Sequence, residues 1–141
     1  MQIPETIIFP KQIETLKLPD PSLVQAYNDI EGRRIFLDDA IGEVEGVDSG
    51  YTCGYIRRIM QYNFEDRDVP VEQRQPIWLF IDSPGGHIDD AIRLANAIMM
   101  STTPIYTVNM GHAYSAAGLI LACGHRRFAL RGSSVLVHSG Y

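Results

Sequence analysis

The segment Ile77-Trp78-Leu79-Phe80-Ile81 has five apolar residues in a row, without the alternation of a half-exposed strand. Such a run is typical of a strand covered on both faces. Asp82-Ser83-Pro84-Gly85-Gly86 follows at once and has the composition of a tight turn. The next apolar residues recur at helical spacing on one face, namely Ile88, Ala91, Ile92, Ala95, Ile98 and Met99. The sequence therefore predicts a buried strand, a turn and an amphipathic helix.

The same order of elements is predicted earlier in the chain. Arg34-Ile35-Phe36-Leu37 is a short β-prone run that Asp38-Asp39 ends. Asp48-Ser49 then offers an N-cap to a helix with apolar residues at Tyr55, Ile56, Ile59 and Met60. This part of the chain predicts a further strand, loop and helix.

A third unit is predicted after the second. Residues 105–108 are β-prone, and Gly111 is expected to break that strand. Residues 115–123 form a compact apolar segment, with Gly124 as a C′ residue for the predicted helix. Phe128-Ala129-Leu130 and Val135-Leu136-Val137 predict two more strands, joined by a turn at Arg131-Gly132-Ser133-Ser134. Alternating strands and helices predict an α/β fold with largely parallel strands.

The chain of 141 residues has the size of one ordinary domain. Four prolines among the first 21 residues, Pro4, Pro10, Pro19 and Pro21, suit an irregular arm better than a regular element. We therefore predict an N-terminal arm or docking segment over residues 1–33 and a single folded domain over residues 34–141.

The charges and cysteines exclude several classes of protein. A net charge of −5, with scattered arginines, lacks the basic stripe of a nucleic-acid binder, so DNA or RNA is not expected as a partner. No secretory leader and no membrane-spanning apolar run is predicted. Cys53 and Cys123 are too few for a disulfide framework or a zinc site, and each is expected to be a buried apolar residue in a cytoplasmic protein.

Two strand-to-helix junctions carry the residues that could do chemistry. The junctions at Gly85-Gly86 and at Ser115 both direct a helix N-terminus toward the carboxyl ends of strands, where open α/β sheets bind ligands. His138 directly follows a predicted strand and could act as a base for the Ser115 hydroxyl. The alternatives are that Gly85-Gly86 is only a turn, that Ser115 is only an N-cap, and that His138 is a strand-end histidine.

Three linked segments resemble the proteolytic subunit of the Clp protease family, in that family's order. They are Phe80-Ile81-Asp82-Ser83-Pro84-Gly85-Gly86, residues 111–118 with Ser115, and Arg127-Phe128-Ala129-Leu130 followed by Val135-Leu136-Val137-His138. The resemblance covers residues 34–138 and implies the ClpP/crotonase-like fold of repeated strand-helix units. It also implies a serine endopeptidase with Ser115 as acyl-forming nucleophile, His138 as general acid and base, and the backbone N–H groups of Gly86 and Ala116 as oxyanion donors.

The resemblance further implies the partners of such a subunit. It would act on unfolded proteins or peptides, assemble into homo-oligomeric rings, and receive substrate from an AAA+ unfoldase, with no cofactor, metal or membrane involved. The family's third catalytic residue is an Asp well downstream of its His, whereas only Ser139, Gly140 and Tyr141 follow His138 here. We therefore expect a domain that lacks its C-terminal part, and the alternative function is a non-catalytic or weakly active structural subunit of a ring assembly.

Several residues depart from the family's pattern. Asp82 replaces a usual Asn, His87 a small residue, His112 a Gln, and Ala116-Ala117 a Met-Gly pair, while residues 64–75 form a longer loop. The related signal-peptide peptidases pair serine with lysine, but both lysines of this chain, Lys11 and Lys17, lie in the arm. Crotonase-like enzymes share the fold and oxyanion hole and act on acyl-CoA thioesters, without needing this serine and histidine.

Overall fold

The computed structural model describes residues 20–42 and 50–139. Their helices are α1 (Pro21–Glu31), α2 (Gly50–Glu65), α3 (Ile88–Met100) and α4 (Ala116–Cys123), with a short 3-10 helix at Val71–Gln73. The strands are β1 (Arg34–Leu37), β2 (Ile77–Ser83), β3 (Ile105–Tyr114), β4 (Arg126–Ala129) and β5 (Ser134–Leu136). None of the helices in this described part of the chain is long and apolar enough to cross a membrane.

The strands form one sheet in the order β1-β2-β3-β4, with β5 also paired to β3, and every pairing is parallel. Parallel neighbours need crossover connections, which α2, α3 and α4 supply. The prediction of an α/β fold with largely parallel strands is confirmed. The arm and domain boundaries at residue 33 remain predictions.

The core lies between one face of the sheet and the helices α2, α3 and α4. Alternate residues of β2, namely Ile77, Leu79 and Ile81, are buried on this face, and the helices cover them with residues that include Ile59, Leu94, Ile98 and Ile120. The opposite face has stacked and tilted aromatic rings at Phe36, Trp78, Phe80, Tyr106 and Phe128. Successive residues of the apolar run in β2 therefore pack alternately in the core and in the aromatic cluster on the opposite face.

Three expectations from the sequence were wrong. Residues 21–31 form α1 and not an irregular arm, because Asp20 caps the helix and Pro21 occupies its first turn, where a proline is tolerated. Gly111 does not end β3, which continues to Tyr114 through a register shift against β2. Cys53 is exposed on α2, while burial of Cys123 raises the pKa of its thiol. Asp48-Ser49 and residues 1–19 lie outside the described residues.

Candidate active site

The site forms where β2, β3 and β5 end at the same edge of the sheet. β2 leads through Gly85 and Gly86 into α3, and β3 leads through Ser115 into α4. β5 pairs in parallel with the last residues of β3, from His112 to Tyr114, so the chain that follows it emerges beside Ser115. Parallel pairing thus brings three junctions together that are separate in the sequence.

Ser115 occupies a strained position between β3 and α4. Its φ of 56° and ψ of −120° are rare for a residue with a Cβ. Its N–H donates to the Leu136 carbonyl of the strand beside it at 2.8 Å. Ser115 is the N-cap residue of α4, but its side chain forms no capping hydrogen bond with the helix. A sharp strand-to-helix turn of this kind projects the hydroxyl away from the backbone.

His138 lies two residues after β5 and faces Ser115. Its Nε2 atom is 2.8 Å from Ser115 Oγ, and its Nδ1 atom is 3.0 Å from the carbonyl oxygen of Ser139. A carbonyl oxygen can only accept, so this contact favours the tautomer that has its proton on Nδ1. In that tautomer the lone pair of Nε2 accepts the hydrogen bond that the Ser115 hydroxyl donates.

Gly85 and Gly86 form a loop that is fixed on one side by Ile41. Ile41 N–H donates to the Gly85 carbonyl at 2.9 Å, and His87 N–H donates to the Ile41 carbonyl at 2.8 Å. Because these two neighbours face Ile41, the N–H of Gly86 points to the other side of the loop. The φ of Gly86 is 155°, and an added Cβ would overlap the Ile41 backbone.

The same loop packs against the start of α4. A Cβ on Gly85, whose φ is 95°, would lie 2.6 Å from the Tyr114 carbonyl oxygen and 3.1 Å from the Ala116 nitrogen. Ala116 is the first residue of α4, where the helix leaves its N–H groups without helical acceptors. Gly85 therefore lies next to the turn that holds Ser115 and the start of α4, and the roles of Gly86 and Ala116 as oxyanion donors stay predictions.

An open cleft of about 390 Å³ adjoins Ser115 and His138. Apart from these two polar residues, its lining is apolar and consists of Ile88, Ala116, Gly118, Leu119, Ala122 and Val137. The cleft can therefore take an aliphatic or aromatic side chain next to the hydroxyl.

Two other polar residues near these junctions, Ser83 and Asp82, have partners of their own. Ser83 is buried, and its hydroxyl donates to the Asp39 carbonyl at 2.6 Å. Asp82 bonds both the N–H and the ring of His112, and these bonds lower the pKa of the Asp82 carboxyl. The structure therefore pairs the Asp82 carboxylate with His112, and Ser83 faces the core.

Two residues that act through their backbone groups were not identified from the sequence. Ile41 holds the glycine loop, and Leu136 accepts the N–H of Ser115, although neither side chain is polar. Each bond joins residues that are more than 20 positions apart, so no spacing in the sequence indicates it. These contacts arise only when the strands are in register.

Comparisons with known proteins show which family the sequence matches. A family model described as Clp protease matches residues 69–141. The ATP-dependent Clp protease proteolytic subunit 1 of Protochlamydia amoebophila is 32% identical over 111 residues, which cover 77% of this chain and 48% of that protein. The proteolytic subunit 2 of Treponema pallidum is 39% identical over 66 residues, 45% of this chain and 33% of that protein.

A solved structure supports the fold independently. The ClpP protease catalytic domain from Plasmodium falciparum superimposes with a TM-score of 0.71 over 89% of this chain and 64% of that one, at 20% sequence identity. The chain spans half or less of the length of the two bacterial relatives. Because the family model matches more than half of the residues, the chain belongs to the Clp protease family.

Proposed function

We propose that this chain carries the acylating half of a serine endopeptidase site, with Ser115 as nucleophile and His138 as general base. The observation that carries the proposal is the 2.8 Å contact between His138 Nε2 and Ser115 Oγ at a strained strand-to-helix turn. Strain at a residue that also contacts a base is typical of functional sites.

The proposed acylation step uses both junctions. Ser115 Oγ attacks the carbonyl carbon of a peptide bond while its proton passes to His138 Nε2. The N–H groups of Gly86 and Ala116 donate to the oxyanion that forms on the substrate carbonyl. The imidazolium then gives its proton to the leaving amine as the C–N bond breaks, which leaves an ester on Ser115.

Hydrolysis of that ester repeats the same steps with water. His138 takes a proton from the attacking water, and the proton returns to Ser115 Oγ when the ester bond breaks. The apolar cleft beside the hydroxyl supports peptides that have an apolar side chain next to the bond that is cut. Unfolded proteins expose such side chains, which supports them as the substrate class.

The proposal includes assembly into homo-oligomeric rings that an AAA+ unfoldase supplies with substrate. Exposed apolar residues on α2 and α3 support self-association, because Met60, Phe64 and Met100 are 64%, 61% and 81% exposed. We place this assembly in the cytoplasm, for which the two cysteines without a disulfide give support. Sedimentation as a monomer at all concentrations would contradict the ring assignment and leave the site assignment standing.

A fluorophosphonate probe tests the site directly. It should label Ser115 and no other serine, as peptide mapping by mass spectrometry would identify, and His138→Ala should abolish the labelling.

The half-buried Ser133 at the β4-β5 turn is a matched control. Ser133→Ala removes a hydroxyl that donates to the Leu130 carbonyl and should leave the labelling rate unchanged. Labelling of Ser133 with Ser115 untouched would end the assignment. No labelling of a folded chain would favour the alternative function, a structural subunit of a ring assembly.

A further inference from the structure

We propose that Asn109 is a positioning residue that fixes the strand leading to Ser115 against the strand leading to His138. The inference rests on the proposed function, because it concerns the alignment of that nucleophile and base. Asn109 lies in the middle of β3 and is completely buried. In the sequence it is a polar residue next to Val108 and Met110.

Asn109 marks the point where β3 changes its partner strand. Tyr106 to Asn109 pair with β4, and His112 to Tyr114 pair with β5. Against β2, Asn109 is opposite Ile81, and Ala113 is opposite Ser83, so β3 uses four steps where β2 uses two. The residues between Asn109 and His112 therefore form an irregular stretch of the ladder, and its geometry sets the direction of the final part of β3.

The Asn109 side chain supplies hydrogen bonds at this irregular stretch. Its amide N–H donates to the Ser134 carbonyl at 2.9 Å, and its side-chain oxygen accepts the Gly111 N–H at 3.1 Å. Its own backbone carbonyl accepts from Leu130 N–H at 2.9 Å. One buried side chain thus holds the bulge of β3 and the first residue of β5 together, where an apolar side chain would leave both backbone groups without these bonds.

The two segments that Asn109 joins end at the proposed catalytic residues. Ser115 lies four residues after Gly111, and His138 lies four residues after Ser134. Beyond Asn109, the two segments are also joined by the bond from Ser115 N–H to the Leu136 carbonyl and by the 2.9 Å contact between the Tyr114 and Ser134 hydroxyls. A shift of β5 along β3 would therefore move the imidazole relative to the hydroxyl, and misplacement by about 1 Å can cost a factor of about 100 in rate.

Two substitutions test the inference in the full chain. Asn109→Leu removes both side-chain bonds, and Asn109→Asp keeps an acceptor for Gly111 N–H but puts an oxygen against the Ser134 carbonyl. Both should lower the maximal rate of fluorophosphonate labelling of Ser115 by about tenfold or more. The probe concentration that gives half of the maximal rate should change less than about twofold. Labelling by Asn109→Asp at the unsubstituted rate would overturn the proposal.

The matched control is Thr103→Val, which removes another completely buried hydrogen bond, from the Thr103 hydroxyl to Asp66 at 2.9 Å. Thr103 precedes β3 at its other end. The control should lower the urea midpoint with the labelling rate unchanged. An equal loss of labelling in Thr103→Val would show that general destabilisation explains the effect, and would overturn the positioning role.

Amide hydrogen exchange separates this inference from the proposed function. In folded Asn109→Leu, the amides of Gly111 and Ser115 should exchange at least about tenfold faster than in the unsubstituted chain, whether or not any serine is labelled. If both variants unfold, the exchange rates of the unsubstituted chain test the inference. If Asn109 holds the two strands together, the amides of Gly111 and Ser115 should exchange there at similar rates, through one common opening. Unchanged exchange in the variant, or Gly111 exchange about tenfold faster than Ser115 in the unsubstituted chain, would overturn the inference.

Discussion

Replacing Gly85 by alanine should lower the labelling rate of Ser115 far more than its effect on the stability of the fold would explain. Gly85 has a φ of 95°, and an added Cβ would lie 2.6 Å from the Tyr114 carbonyl oxygen, 3.0 Å from Ser115 Cβ and 3.1 Å from the Ala116 nitrogen. All three atoms belong to the turn that holds the proposed nucleophile. Gly85→Ala therefore pushes directly on the residues that the proposed reaction uses.

The size of the effect follows from these distances. Non-bonded heavy atoms prefer separations of roughly 3.5 Å, so the glycine loop and the Ser115 turn must move apart by about 0.9 Å. A displacement near 1 Å can cost about 100-fold in rate, which is about 2.7 kcal/mol of transition-state stabilisation. The positive φ adds about 1 kcal/mol of lost folding stability, since alanine disfavours this conformation.

The assay compares Gly85→Ala with Gly132→Ala. Gly132 has a similar φ of 86°, in the β4-β5 turn, and an added Cβ there would meet no atom within 4 Å. Both variants should lose about 1 kcal/mol or more in urea unfolding, but only Gly85→Ala should lose about 100-fold in fluorophosphonate labelling rate. Equal labelling rates in the two variants would refute the argument that the glycine loop sets the position of the Ser115 turn.

Three further outcomes are expected. Gly54→Ala, at a helical position with open space around the Cβ, should raise the free energy of unfolding by about 0.5–1 kcal/mol in urea titrations. Asp66→Asn should cost about 3 kcal/mol at neutral pH, because Asp66 is buried and bonds Arg33 at 2.7 Å. The Arg33 bond lowers the pKa of Asp66 in the folded chain. The stability that Asp66 contributes is therefore complete above the unfolded pKa of about 3.9 and is lost as pH falls through the lower folded pKa. The urea unfolding curves of the unsubstituted chain and Asp66→Asn should converge in acid. Asp82→Asn should change the labelling rate less than about twofold, because the Asp82 carboxylate faces His112; a loss above tenfold would contradict this pairing.

Much of the secondary structure could be predicted from local patterns. The apolar run of β2 and the helical spacing of α3 match the observed elements to within two residues. The proline-rich composition predicts an irregular arm where α1 forms, because the pattern does not show that proline is compatible with the first turn of a helix. β3 was predicted too short because glycine usually weakens a strand, whereas here Gly111 lies in the irregular stretch that Asn109 stabilises.

The sequence by itself determined the class of fold and the residue types that could react, because strand and helix periodicity and turn composition depend on neighbours along the chain. Only the tertiary structure decided that Ser115 and His138 lie 2.8 Å apart, that Ile41 holds the loop of Gly86, and that Asn109 joins β3 to β5. These contacts depend on the register of parallel strands whose residues are 20 or more positions apart. Register is fixed by burial and packing over the whole sheet, so no local pattern contains it.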